Sequence, residues 1–460
     1  MPLHDATDGS THVFPALGTI DGYPVIPRDR MPDGSMPADA ALRIVHDELM
    51  LDGNARLNLA TFVTTWMEPE AEKLIAETVS KNMIDKDEYP QTAELERRCV
   101  AILAELWHGG SADESHATGC STTGSSEASM LAGMALKWRW RARREAAGKD
   151  ASKPNLVMGA NVQVCWEKFC RYWEVEPRAV DCEPGTPHLT PAGALSAVDE
   201  NTIGVVGVLG STFDGSYEPI ADIAAALDDL QARTGLDIPI HVDAASGGFI
   251  APFLDPELEW DFRLPRVRSI NASGHKYGLV YPGVGWVVWS SREDLPRELV
   301  FDVDYLGGSM PTFALNFSRP GSQIAAQYFT FVRYGMEGFR SIQQHSREVA
   351  THLARAVSRL DAFELLSDGS ELPVFAFRVV DDAGFTVYDV SKELRSHGWL
   401  VPAYPMPPGM SDVHVLRVVV RAGFTPDLAA LFLEDLERSV EALREQQPRP
   451  AAAAPLGCRH

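Results

Sequence analysis

Apolar residues recur along this chain in two rhythms. Up to Trp107 the spacing is helical. Residues 39–50 carry the three-and-four repeat of an amphipathic helix, and Leu51-Asp52-Gly53-Asn54 interrupts it. The repeat resumes over 70–82, where Ala71, Leu74, Ile75 and Val79 share one face, and again over 92–107. Thr123-Gly124-Ser125-Ser126-Glu127 then opens a long helix that ends near Arg144, its last turn basic through Arg141, Arg143 and Arg144, as suits the negative end of a helix dipole. Beyond it the rhythm changes. Mostly apolar runs of strand length occupy 155–158, 178–181, 202–209, 238–243, 267–272 and 283–290, and helical segments, notably 220–234, separate several of them. Strands alternating with helices predict an α/β fold with a mostly parallel sheet covered by helices on both faces, and ligands gather beyond the carboxyl ends of such strands.

A long helix over 323–334, continuing from Gly338 towards Leu360, leads out of this region. The remainder reads strand (374–380), helix (387–397), strand (413–420), helix (426–446), a small α+β domain. The expected organisation is an N-terminal arm with helices (1–57), a large domain (58–346), a small C-terminal α+β domain (347–446) and a tail (447–460). The arm, with Pro24, Pro27, Pro32 and Pro37, reads as loosely structured and able to pack on a partner subunit.

Composition narrows the function classes. The chain has 460 residues, 45% of them hydrophobic, enough for a large buried core. A formal net charge of -23 argues against nucleic acid and against stable association with an acidic membrane surface. The first residues lack a signal-peptide pattern, and no apolar run is long enough to span a bilayer. The six cysteines (Cys99, Cys120, Cys165, Cys170, Cys182, Cys458) are dispersed, as expected of free thiols in a reducing cytoplasm rather than a zinc site or disulfide framework.

Two strand ends carry the candidate chemistry. Lys276 follows the strand over 267–272 in the turn Ser273-Gly274-His275-Lys276, and Asp243 ends the strand of His241-Val242-Asp243-Ala244-Ala245-Ser246-Gly247-Gly248. Pyridoxal phosphate needs this pair: a lysine amine to form a Schiff base with its aldehyde, and a carboxylate to keep its pyridine nitrogen protonated so that the ring accepts electrons. Gly124-Ser125-Ser126 opens a helix, where free N–H groups and the positive dipole end suit a phosphate; an ordinary serine-rich cap has the same look. Gln163, just past a strand, could lie over a cofactor ring, although a loop glutamine bonded to backbone is the commoner case. Arg421 closes the last strand on the face of Arg417 and Val419; it reads equally as a carboxylate fork or as a solvent-facing arginine.

Between about Asp47 and Leu443 the chain resembles the glutamate decarboxylase family of pyridoxal-phosphate enzymes. The resemblance is carried by Leu51-Asp52-Gly53-Asn54-Ala55-Arg56, Ile84-Asp85-Lys86-Asp87-Glu88-Tyr89-Pro90-Gln91, Gly124-Ser125-Ser126-Glu127-Ala128, the Asp243 and Lys276 motifs, and Asn316-Phe317-Ser318-Arg319-Pro320. The cofactor motifs are shared by many decarboxylases, and the N-terminal strings are more specific to this family. The resemblance implies the aspartate-aminotransferase-like fold (fold type I), with a mostly parallel sheet of the seven-stranded type. It makes Lys276 the Schiff-base lysine and Asp243 the pyridinium partner, with Ala245 and Gln163 on the two faces of the ring and Thr212 near its hydroxyl. Ser125, Ser126, Ser273 and His275 become phosphate ligands, joined by Ser318 of a neighbouring subunit. Arg421 resembles the clamp on the substrate α-carboxylate, and Thr61, Phe62 and Asp85 resemble a distal-carboxylate pocket reaching across a dimer interface. Tyr305, a candidate catalytic residue, and Leu306 lie in a segment resembling a mobile loop that covers the site.

The implied activity is α-decarboxylation of L-glutamate to γ-aminobutyrate and CO₂, consuming one proton per turnover, as would suit acid resistance. The implied assembly is a homodimer as the minimal active unit, with a homohexamer left open. Some bacterial relatives carry a histidine where this chain has Glu167, so no role of that histidine transfers. The tail lacks a basic amphipathic segment, which argues against calmodulin control, and its final His460 resembles a bacterial tail whose histidine plugs the site at neutral pH. Competing readings are an amino-acid decarboxylase of other substrate and a non-catalytic scaffold. The retention of Lys276, Asp243 and Arg421 speaks against the scaffold, and the absence of a Gly-x-Ser-x-Gly elbow against a hydrolase.

Overall fold

A computed structural model describes residues 29–109, 118–303 and 310–446. The chain separates into two units, Met1–Asn54 and Ala55–His460. The first contains helix α1 (Ala38–Leu49), whose N-cap is Pro37 and whose first turn holds an Arg43–Asp39 ion pair at 3.1 Å.

The second unit begins with two helices that each carry proline at the first position, α2 (Pro69–Thr78) and α3 (Pro90–Leu106). The central run is β1 (Thr118–Thr122), α4 (Ser125–Ala146), β2 (Asn155–Gly159), α5 (Val164–Tyr172), β3 (Glu176–Val180), α6 (Pro191–Ala197) and β4 (Thr202–Val208). It continues through α7 (Ile220–Thr234), β5 (Ile240–Asp243), the single turn α8 (Ala251–Leu254), β6 (Val267–Ala272) and β7 (Gly285–Trp289). These strands form one seven-stranded sheet in the order β1-β7-β6-β5-β4-β2-β3. β3, β2, β4, β5 and β6 run parallel, and β7 is antiparallel to both neighbours.

Strand alternation supplies two cores. Val205, Ile240, Val242, Ile270 and Val288 face a cluster that includes residues of α3 and α7, while Met158, Val206, Val208, Val287 and Trp289 face one built on α4 and α5. Every residue of β4 is buried, which is why it reads as a continuous apolar run instead of an alternating one.

A short ribbon of β8 (Phe301–Val303) and β9 (Met310–Thr312) precedes helix α9 (Ser322–Val357). α9 is two helical segments meeting at Gly335, whose φ of 52° leaves helical geometry, where the sequence predicts an interruption. Its second segment places Phe339 in the large core and Val349, Ala350, Leu353, Ala354 and Val357 in the core of a second sheet. The expected boundary at 346/347 therefore falls inside this helix. The second sheet is antiparallel, in the order β10 (Phe363–Leu365), β11 (Val374–Val379), β13 (His414–Val419), β12 (Ala403–Pro405), and packs on α10 (Val387–Ser396) and α11 (Pro426–Glu445). A capping box between Thr386 and Asp389 starts α10.

The three-residue strands β8, β9, β10 and β12 fall outside the predicted runs, and in the seven-stranded sheet β1 is the strand that the apolar pattern does not announce. Thr118-Gly119-Cys120-Ser121-Thr122 is polar and small, and it sits at the sheet edge against β7. There Thr122 pairs with Gly285, and a Cβ on Gly285 would stand 2.5 Å from the Gly124 carbonyl carbon and 2.7 Å from its Cα. Backbone meets backbone at that point, so no rotamer can relieve a side chain. Gly285→Ala is expected to cost about 1–3 kcal/mol, read as a lower urea midpoint with an unchanged slope.

Candidate active site

The parallel pairing of β5 and β6 sets Asp243 opposite Asn271. Asp243 is buried, and three N–H donors fix its carboxylate. Trp166 Nε1 donates to Oδ2 at 2.8 Å, while Asn271 Nδ2 and the Ala245 amide donate to Oδ1 at 3.0 and 3.1 Å. A further layer sets the Asn271 amide. His241 Nε2 lies 2.7 Å from Asn271 Oδ1, and His241 Nδ1 lies 2.8 Å from Ser269 Oγ. Burial holds the His241 pKa down at about 4, so the ring is neutral near pH 7. A ring donating from Nε2 leaves the amide N–H of Asn271 turned to Asp243.

The turn after β6 brings Lys276 to the same place. Its Nζ donates to Ser246 Oγ at 3.2 Å and stands 5.2 Å from the centre of the Phe62 ring. Burial lowers the lysine pKa; Asp243 and Cys165 oppose that shift, and Arg417 adds to it. Thr64 clasps the turn from outside, donating its amide to the His275 carbonyl (2.8 Å) and its hydroxyl to the Lys276 carbonyl (2.6 Å).

A cavity of about 270 Å³ lies between these elements, lined by Asp243, Ala245, Ser246, Lys276, Gln163 and Thr212 on one part of its wall. Thr123, Gly124, Ser125, Ser126, Ser273 and His275 line another. α4 begins at Ser125 with Gly124 as N-cap and no side chain capping it, which leaves its first amides free. Ser273 Oγ donates to Ser125 Oγ at 2.7 Å. A Cβ on Gly124 would come within 2.8 Å of His275 Cε1, filling the cradle. His275 Nδ1 accepts the Val284 amide at 3.3 Å, and burial, then Lys276, hold its pKa down at about 4. The neutral ring therefore carries its proton on Nε2. Gln163 is the N-cap of α5, its side chain accepting the Cys165 amide at 2.6 Å; the sequence pattern does not announce that helix.

Two arginines reach the 55–65 segment. β13 ends at Val419, so strand alternation does not reach Arg421. Arg421 Nη1 donates to the carbonyls of Asn58 (2.6 Å) and Thr61 (2.9 Å), and Nη2 to the Ala55 carbonyl (3.1 Å) and Thr65 Oγ1 (3.2 Å). Arg417 donates from its two terminal nitrogens to the Thr212 and Ala60 carbonyls, and its guanidinium lies 4.7 Å from the Phe62 ring that also faces Lys276. The Nε of each has no partner among the described residues.

Phe62 thus stands beside Lys276 of its own chain, and Thr61 precedes it with its carbonyl on Arg421. Asp85 and Ser318 are elsewhere. Neither is among the residues lining the Lys276 cavity, and Asn82 Nδ2 binds both, at 3.2 Å to Asp85 Oδ2 and 3.4 Å to Ser318 Oγ. Tyr305, Leu306 and His460 lie outside the described residues. Ser246, Trp166 and Asn271 are the site residues that sequence reading passes over. Ser246 lies within the quoted Asp243 motif and Asn271 ends the Lys276 strand, so adjacency was the available signal; Trp166 had none.

The residues present fit pyridoxal phosphate. The glycine cradle leaves the room that a Cβ would occupy, the amides opening α4 and the hydroxyls suit a phosphate, and lysine and carboxylate face one cavity. Among the described residues no group of three or more His, Cys, Asp or Glu side chains could hold a metal ion, and no helix is long and apolar enough to cross a membrane.

Comparison with known proteins agrees with this chemistry. The pyridoxal-dependent decarboxylase conserved domain matches residues 32–380. A glutamate decarboxylase of Aliivibrio fischeri is 54% identical over 445 residues, 96% of this chain and 95% of that one. One from Solanum lycopersicum is 53% identical over 92% of this chain and 84% of its own. The structure of Lactobacillus brevis glutamate decarboxylase superposes with a TM-score of 0.89 at 47% identity, covering 92% of this chain and 97% of that one. A sphingosine-1-phosphate lyase of Burkholderia pseudomallei, with a TM-score of 0.76 at 24% identity over 91% of this chain and 93% of that one, shares the fold. A lysine and an acid on neighbouring strand ends, a glycine-floored cup at a helix start and near-full-length matches lead to one conclusion: the chain belongs to the pyridoxal-dependent decarboxylase family, among its glutamate decarboxylases.

Proposed function

We propose that this chain removes the α-carboxylate of L-glutamate as CO₂, with pyridoxal phosphate as cofactor, giving γ-aminobutyrate and taking up one proton per turnover. The convergence of Lys276, Asp243 and the Gly124–Ser126 cup on one cavity, in a chain 54% identical to a glutamate decarboxylase, carries this assignment. When bound, pyridoxal phosphate supplies an electron sink for the pair left by the departing carboxylate.

The residues then divide the work. Asp243, held by three donors, keeps one negative group oriented at the pyridine end of the cavity. The free amides of α4, with Ser125, Ser126, Ser273 and the Nε2–H of neutral His275, hold the phosphate end. Ala245, Gln163 and Thr212 line the same cavity, where the first two would flank the ring and Thr212 would meet its hydroxyl. Burial raises the share of neutral amine at Lys276, as a nucleophile requires, and we assign to its Nζ, once it has taken up a proton from solvent, delivery of that proton to the substrate α-carbon in place of the departed CO₂. We place Arg417 at the substrate α-carboxylate, a role that the family resemblance gives to Arg421. Arg417 shares the Phe62 ring with Lys276, while Arg421 braces the 55–65 segment. Thr61 and Phe62 serve the distal carboxylate. Asp85 and Ser318, remote from the cavity of their own chain, complete the site of a partner in a homodimer. A homohexamer would be a further assembly of such dimers. Proton consumption fits a part in acid resistance, and the free cysteines support a cytoplasmic location.

Purified chain loaded with pyridoxal phosphate is expected to release CO₂ and γ-aminobutyrate in equal amounts from L-glutamate. Lys276→Ala should lose both the lysine-bound cofactor absorbance and turnover. A cofactor spectrum that responds to glutamate without CO₂ release would assign the chain to a different lyase reaction. Arg417→Lys should lower kcat/KM for glutamate by about 100-fold, the scale for breaking a buried charged contact, while Arg421→Lys should chiefly lower the melting temperature. A third expectation concerns pH. The folded-state pKa of His275 is depressed to about 4 from an ordinary value near 6.5, so its contribution to stability is present above pH 6.5 and lost as pH falls through 4. His275→Asn should therefore flatten, without abolishing, the loss of stability over that window in pH-dependent urea unfolding, since His241 titrates in the same sense.

A further inference from the structure

Glu127, in the first turn of α4, is buried, and its carboxylate accepts five hydrogen bonds. Oε2 takes the Thr123 amide (2.8 Å), the Thr123 hydroxyl (2.9 Å) and Asn316 Nδ2 (2.9 Å). Oε1 takes the amides of Leu315 (2.9 Å) and Asn316 (3.3 Å). One side chain thus fastens the turn that forms the cup to a segment almost two hundred residues away in the chain. Nothing in the proposed chemistry needs a negative charge there; a carboxylate next to a phosphate cup is a liability unless it does other work.

The segment it grips continues directly into the remote half-site. Ser318 accepts from Asn82, the Arg319 amide donates to Asn82 Oδ1 (3.3 Å), and the Met83 amide donates to the Arg319 carbonyl (2.9 Å). Asn82 holds Asp85 at 3.2 Å. From cup to Asp85 the path is hydrogen bonds joined by the short covalent run from Asn316 to Arg319. Glu96, which accepts from Ser121 and lies 3.5 Å from Arg319 Nη2, is a second tether of the same segment to β1.

We propose that Glu127 is a positioning residue that couples occupancy of the Gly124–Ser126 cup to the placement of Leu315–Arg319 and of Asn82 and Asp85. A phosphate on the cup's free amides orders the Thr123–Ser126 turn. Thr123 then presents its N–H and O–H to Glu127, and the carboxylate keeps its grip on the Leu315 and Asn316 amides. Because Ser318 and Asp85 are assigned to the partner's site, filling one cup prepares the neighbouring active site, and by reciprocity an ordered segment strengthens the cup. The inference rests on reading the cup as the cofactor's phosphate site.

Hydrogen exchange on the full-length protein, with and without pyridoxal phosphate, tests it. In the wild type, cofactor should slow exchange about tenfold, the scale of one hydrogen bond to a charged group, at 123–127 and also at 315–319 and 82–86. Glu127→Gln replaces an acceptor oxygen by a donor and should keep the effect at 123–127 while abolishing it at 315–319 and 82–86. Asn316→Ala, which removes the Nδ2 contacts to Glu127 Oε2 and to Thr123 Oγ1 (3.3 Å) but leaves the Glu127 contacts to the Leu315 and Asn316 amides, guards against misfolding and should leave an intermediate effect. Glutamate KM should rise several-fold more than kcat falls in Glu127→Gln, as for a displaced binding group. Unchanged cofactor protection of 315–319 and 82–86 in Glu127→Gln would overturn the coupling alone. Absence of cofactor protection at 123–127 in the wild type would overturn the cofactor assignment and the coupling together.

Discussion

Hydrogen bonding between two neighbouring parallel strands is the constraint from which the site follows. β5 and β6 are one ladder spacing apart, about 4.8 Å, and in register at Asp243 and Asn271. That register leaves no freedom in where the acid and the lysine turn stand. It also lets Asn271 donate sideways to Asp243 and lets His241, two residues earlier on β5, orient Asn271. The carboxylate is therefore set by backbone pairing first and by side chains second. Burial then settles the ionisation around it: His241 and His275 are kept neutral, and the Lys276 ammonium is made easier to deprotonate.

Much of the fold is legible in the sequence because parallel strands buried on both faces leave uninterrupted apolar runs. The strand over Val267–Ala272 and the helix over Ile220–Thr234 coincide with their expected limits. β1 escapes for a physical reason. Its residues are chosen for close approach, at Gly119 and beside Gly124, and for polar contact with Glu96, so they carry no apolar signature. α5 is short, nine residues, and its start is set by Gln163, whose N-cap role needs the third dimension.

The site is legible to the extent that it lies at strand ends. Lys276 and Asp243 can be found because position in a strand predicts position in space. The arginines cannot be sorted this way. Alternation holds while the strand lasts, and β13 stops two residues short of Arg421. Arg417 and Arg421 both reach the 55–65 segment and both donate to carbonyls, and it is Arg417 that lies over Phe62. The separation of Asp85 and Ser318 from the Lys276 cavity is likewise beyond local pattern, since it depends on the path of a chain between distant elements.

The second segment of α9 is shared by the cores of both sheets. Gln343 from that segment donates to the Tyr277 carbonyl, one residue past the lysine, and the Tyr277 hydroxyl donates to the Val420 carbonyl just beyond β13. Lysine turn, helix and small sheet are thus tied to one another by hydrogen bonds. The spacing of Arg417 and Lys276 rests on these ties, so a carboxylate held by Arg417, as proposed, would meet a guanidinium placed by folding and not by the substrate.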